Sequence, residues 1–210
     1  MQRSSFPQLV LAALLLSVPA VAQSTDRDSA AVHFVQGMMH HHAQAIVMGE
    51  MAPSHTARTN LRTAARRIVA SQTDEIAVMR RWLERRHAAV PSINTSAPDM
   101  MSHSMPGMDM GGMQMASDSL RMPGMVTHEQ LMALARSRGT KFDKLFGRFM
   151  IAHHEGALKM VADLFAIPGA TDDPELFQLT SDIDADQRAE IARMRSMLTA
   201  KPDMKTKHKR

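Results

Sequence analysis

Two pairs of adjacent histidines and a dense run of methionines are the residues of this chain best suited to chemistry. His41-His42 and His153-His154 each have a methionine three residues before the pair, Met38 or Met150, and another six residues after it, Met48 or Met160. On a helix, Met38 lies one turn from His41 and His42, so a thioether and an imidazole can converge on one ion. A second group occupies residues 98–125, PDMMSHSMPGMDMGGMQMASDSLRMPGM, which hold nine of the 21 methionines with four glycines and three prolines. Methionine in such a segment gains nothing from packing. Its thioether is a soft ligand that selects Cu(I), or Ag(I) by the same logic, over hard cations. It also has no proton to lose, so it still binds at acidic pH. Met100, Met101, His103, Met105, Met108, Met110, Met113 and Met115 offer close ligand spacing on a chain able to fold around an ion.

These residues sit inside an internal repeat. Residues 34–48, FVQGMMHHHAQAIVM, align with 146–160, FGRFMIAHHEGALKM, at a shift of 112. The shift matches Phe34, Met38, His41, His42, Ala45 and Met48 with Phe146, Met150, His153, His154, Ala157 and Met160. A second block follows each copy, IVASQTDEIAVMRRWL at 68–83 and IDADQRAEIARMRSML at 183–198, at a shift of 115. It matches Gln72 and Glu75 with Gln187 and Glu190. Two ordered, collinear blocks point to duplication. Glu75 and Glu190 fall on partner elements from which a carboxylate could accept an imidazole N–H and fix its tautomer, with Gln72 and Gln187 one turn away.

The elements that must position these groups read as helices. At ~100° per residue the shared positions of the first block fall within an arc of roughly 120°. Each copy is then a helical hairpin. The first is expected to break around Met51–Thr56, at Pro53 and Ser54, and the second around Ile167–Pro174. A short helix from Thr127, with Gln130 in the capping-box position, should stop at Gly139. Two hairpins with one apolar stripe per helix can bury those stripes as four helices. The fold class is therefore all-α, a duplicated helical hairpin with a flexible Met-rich insert. Met79, Met160 and Met194 read as core methionines, and His33, His55, His87, His128 and His208 as isolated surface residues.

Composition narrows the function further. With 4% aromatics, one Trp and no Tyr, the chain suits packed helices better than a large sheet. No Cys is present, which removes disulfides, thiolate metal sites and thiol nucleophiles. The net charge of +4 is held by residues 201–210, KPDMKTKHKR, with five basic residues and one acidic. Arg3 adds one charge and the stretch between is 19 basic against 20 acidic, which argues against nucleic-acid binding. Residues 1–22 carry Arg3, an apolar run from Leu9 to Val18 and Ala20-Val21-Ala22, the pattern of a secretory leader cleaved after Ala22. No later segment is apolar enough to span a membrane. The organisation expected is a leader at 1–22, a first hairpin at 23–97, a Met-rich linker at 98–126, a second hairpin at 127–200 and a basic, disordered tail at 201–210.

The duplicated pattern FxxxMxxHHxxAxxM followed by QxxEIxxM resembles the bacterial domain-of-unknown-function family 305. The resemblance covers about residues 28–90 and 140–198. It implies a ferritin-like four-helix fold, and a periplasmic copper-binding role linked to copper tolerance. By position it implies a copper role for His41, His42, His153, His154 and their methionine neighbours. The expectation is an exported, non-enzymatic protein that sequesters or carries Cu(I), possible partners being another periplasmic copper carrier or exporter, with Cu(II) as a further cargo. Two alternatives stand beside it. One is a di-iron or di-manganese carboxylate oxidase, for which the chain offers one Glu-x-x-His spacing, Glu84 to His87. The other is a helical interaction module whose methionines absorb oxidants and whose His–Gln–Glu network only sets helix register.

Overall fold

The two repeat blocks form two antiparallel helical hairpins in the computed structural model, which describes residues 20–95 and 122–199. The first hairpin is α1 (Ala20–His55) and α2 (Thr59–Arg85). The short α3 (His128–Arg136) precedes the second, α4 (Gly139–Phe165) and α5 (Pro174–Thr199). α1 packs on α4 and α2 on α5, which closes a four-helix bundle, while α3 lies across α1 and α4. The described residues contain helices and no strand.

Helix ends follow local chemistry, with two departures from the sequence expectation. Pro53 lies inside the last turn of α1 rather than in the turn itself, and the break is confined to residues 56–58. Proline is tolerated there because the helix runs only two residues further and Thr56 N–H still reaches the Ala52 carbonyl at 3.2 Å. Gly139, at φ +59°, starts α4 instead of ending α3, which stops at Arg136. Thr127 and Gln130 form the expected capping box. At the start of α5, Asp173 accepts from Leu176 N–H at 2.8 Å and from Trp82 Nε1 at 3.1 Å, with Arg86 as an ion-pair partner. Burial raises the Asp173 carboxyl, but these hydrogen bonds outweigh it and hold the group below its ordinary value.

The apolar stripes do not form one continuous core. One cluster gathers Phe34, Val35, Met38, Met79, Trp82, Leu83, Val161 and Ile183. The other gathers Met48, Leu61, Ile68, Leu134, Phe142, Phe146, Met150 and Met194. The conserved register of the repeats puts His41-His42, Gln72, Glu75, His153-His154, Gln187 and Glu190 between the two clusters on all four long helices. Met79 and Met194 are core residues, as their apolar positions require. Each cluster must hold its own end of the bundle, so Phe146→Ala should cost about 3–5 kcal/mol. Urea denaturation measures it, and a loss under 1 kcal/mol would show that the cluster around Phe146 can collapse around the void.

Candidate metal centre

Four imidazoles meet at the centre of the bundle, and all four are fully buried. Each hairpin contributes one carboxylate to one histidine. Nε2 of His42 donates to Glu75 across α1 and α2, and Nε2 of His154 donates to Glu190 across α4 and α5 at 2.6 Å. The other two histidines meet between the hairpins, where the rings of His41 and His153 lie 3.8 Å apart at an interplanar angle of 38°. His41 Nε2 donates to the Pro123 carbonyl at 2.9 Å.

These acceptors decide where the protons sit. A carbonyl or carboxylate oxygen can only accept, so Nε2 carries a hydrogen in His41, His42 and His154, and whenever such a ring is neutral its Nδ1 is a bare lone pair. Among the described residues none of the three Nδ1 atoms has a hydrogen-bond partner, and neither ring nitrogen of His153 has one. Gln72 Nε2 and Oε1 and Gln187 Oε1 are also unpartnered. Eight of the ten such buried atoms among the described residues therefore lie in this one layer, the others belonging to Arg62 and Asp143. Each unsatisfied buried group costs about 1–3 kcal/mol, and a fold tolerates such a concentration where the groups serve something else.

Burial keeps the central rings neutral. It pushes His41 down to about 3, opposed by the bond to Pro123 and helped by the neighbouring His42 and His154 imidazoles. His153 is driven well below its usual value by burial and then by the imidazoles around it. Neutral imidazole is the ligating form, so both rings stay competent in acid.

The α1–α4 face of the layer is sealed by residues 122–126. Gln44 holds this strap at both backbone groups of Val126, donating to its carbonyl at 3.0 Å and accepting from its N–H at 2.8 Å. Gly124, at φ +76°, crosses α4 so closely that a Cβ would meet the Ala152 carbonyl oxygen at 2.5 Å. A Cβ on Gly156 would run into the Pro123 carbonyl. The linker expected to be flexible over 98–126 is thus bound to the bundle at its last five residues, because three backbone hydrogen bonds and two glycine contacts fix them. The opposite, α2–α5 face carries a groove of about 520 Å³ lined by Asp74, Glu75, Glu175, Asp182 and Asp186. Burial, with Glu75 and Glu190 beside it, pushes the Asp186 carboxyl up.

The structure brings His41, His42, His153, His154, Gln72, Glu75, Gln187 and Glu190 into the one layer. Met38, Met48 and Met150 are fully buried in the flanking apolar clusters, and Met160 is half-buried at the edge of one. Met100, Met101, His103, Met105, Met108, Met110, Met113 and Met115 lie outside the described residues. Among the described residues no three His, Asp or Glu side chains are set to hold one ion. His55 is not the isolated surface residue expected, since its Nε2 bonds the Ala135 carbonyl at 2.9 Å and its ring rests on Phe142. Sequence reasoning missed the Pro123 carbonyl and the Gln44 clamp. Their signal was a departure from the repeat, because Gln44 aligns with Gly156.

The profile of the family described as Domain of unknown function (DUF305) matches residues 31–198. The chain belongs to the DUF305 family. Its helical bundle is similar to a DUF305 fragment from Deinococcus radiodurans, with 25% identity, a TM-score of 0.63, and 80% of this chain and 95% of that one covered. A DUF305 protein from Streptomyces coelicolor shares the fold at 24% identity and a TM-score of 0.62, over 81% and 93% of the two chains. CopM in its Cu(II)-bound form is 30% identical, with a TM-score of 0.58 over 80% of this chain and 94% of CopM. No curated protein matches the chain. For this DUF305 chain, as described, no helix is long and apolar enough to cross a membrane.

Two outcomes follow from this geometry. Below pH 6.5 the unfolded chain takes up protons on His41 and His153 that the native layer refuses. Stability of the metal-free protein is therefore fully present above pH 6.5 and falls as pH drops toward 3, by up to about 1.4 kcal/mol per pH unit per imidazole. Urea midpoints at pH 7 and pH 5 measure this, and His153→Leu should flatten the dependence. Gly156→Ala should lift the strap, so the Val126 amide should exchange at least ~10-fold faster while α2 and α5 amides keep their protection.

Proposed function

We propose that this chain is an exported copper-binding protein that sequesters or carries Cu(I), with Cu(II) as a second cargo at imidazole nitrogen. The observation that carries the reading is the layer of four buried imidazoles, three of them with Nε2–H engaged, whose Nδ1 atoms have no hydrogen-bond partner among the described residues. A ligating histidine is ordinarily oriented by an acceptor on its other nitrogen, which is the part Glu75, Glu190 and Pro123 play. Similar proteins support the choice of metal, since CopM has been solved in Cu(II)-bound, Cu(I)-bound and Ag-bound forms.

Ligand softness supports Cu(I) as the main cargo. The insert supplies thioethers at close spacing, and Met38 and Met150 stand one helical turn from the histidine pairs. The carboxylate-bridged di-metal alternative fits less well, because Glu75 and Glu190 are each committed to an imidazole of their own hairpin. Carriage suits the site better than catalysis. Its donors are divided between an insert and a buried layer, an arrangement that suits holding ions and passing them on. The leader expected at residues 1–22 would deliver the protein to the periplasm or outside the cell, where another copper carrier or exporter could exchange the ion with it. The acidic groove beside Glu75 gives cations a favourable approach to the layer.

Competitive Cu(I) titration tests the reading, with Ag(I), Zn(II) and Fe(II) alongside. More than one Cu(I) per chain is expected, with Ag(I) competing and Fe(II) ignored. Deleting residues 98–121, which spares the docked strap, should lower Cu(I) stoichiometry and leave helicity unchanged. Absence of Cu(I) uptake, or stoichiometric iron instead, would contradict the proposal.

A further inference from the structure

The strap carries two thioethers, Met122 and Met125, that neither the histidine layer nor residues 100–115 account for, and Met122 is the one that reaches Gly37 of α1. A Cβ placed on Gly37 would lie 3.3 Å from Sδ of Met122 and 3.7 Å from Cε of Met160. Both side chains therefore end over the same point of α1, where the absence of a side chain leaves them room. Both methionines are part-exposed, so a small ion reaches them without opening the core. Gly37 is one turn before His41 on the same face. His41 is bonded to Pro123, the strap residue next to Met122, and it stacks on His153, whose two ring nitrogens are unpartnered.

We propose that Met122 and Met160 form a site for a soft monovalent cation, Cu(I) or Ag(I), at the rim of the strap. The proposal rests on the copper reading above and adds a place to it. The donors are two neutral sulfurs, which hold soft ions and offer hard divalent cations little. One sulfur belongs to α4 and the other to the strap, so the site joins the strap to the helix that carries His153 and His154. The bound ion would tie the strap to α4 through Met122 and Met160, just as Gln44 ties it to α1. A purely packing role for the two side chains makes a different prediction, because leucine of similar volume would then replace either without effect.

The test is competitive Ag(I) titration of the full chain, wild type against Met122→Leu, Met160→Leu and the double variant. Each single variant should lose one Ag(I) equivalent, and the double should lose that same one. In the wild-type chain the Met122 and Met160 methyl signals, followed by 13C NMR, should shift together with one equivalent; this measurement needs no variant to fold. Retention of the wild-type count by either single variant, loss of two equivalents by the double, or methyl signals that stay in place would overturn the site alone. A wild-type chain that takes up no Ag(I) would overturn the copper reading with it.

Discussion

Dehydrating four imidazoles at one level of a helical bundle is the constraint on which the rest of this structure depends. Charged, these rings could not share the space, and burial resolves the conflict by holding His41 and His153 neutral. Buried rings still need their N–H groups satisfied. Glu75, Glu190 and the Pro123 carbonyl do this for Nε2 of three of them, while no Nδ1 in the layer has a partner among the described residues. The layer is therefore costly to fold and well prepared to bind. Two separate apolar clusters, one on each side, supply the stabilisation that the layer itself does not.

Duplication accounts for half of this arrangement, and its breakdown accounts for the other half. Within each hairpin the histidine–glutamate pair recurs at matched positions. Between the hairpins the symmetry is broken where the strap passes. Gln44 on α1 grips Val126, whereas its counterpart Gly156 on α4 removes a side chain so that Pro123 can approach. Gly37 on α1 likewise stands against Phe149 in the other copy and opens a notch for Met122 and Met160. The repeat built a bundle, and its exceptions attached the insert.

That division explains how much could be read from the sequence. Helix period and the shift of 112 identified the hairpins, the histidine pairs and the carboxylates on partner helices, because side chains at matched helical positions must share a face. The strap was invisible to that logic. Its Met122-Pro123-Gly124-Met125 run reads as turn chemistry, and its contacts are long-range bonds from a backbone carbonyl and a glutamine amide. Pro53 and Gly139 show the same limit on a smaller scale. Each residue type allows a helix to end or to begin, and tertiary context chose which.

If the layer offers Nδ1 atoms to a soft ion, as proposed, long-range 1H–15N correlation spectra of the imidazoles will report it. In the metal-free protein at pH 7, His41 should appear as the neutral Nε2–H tautomer. Adding Cu(I) under reducing conditions should then move Nδ1 resonances of the layer. An Nδ1–H tautomer of His41 in the metal-free chain, or imidazole signals indifferent to Cu(I), would rule this role of the layer out.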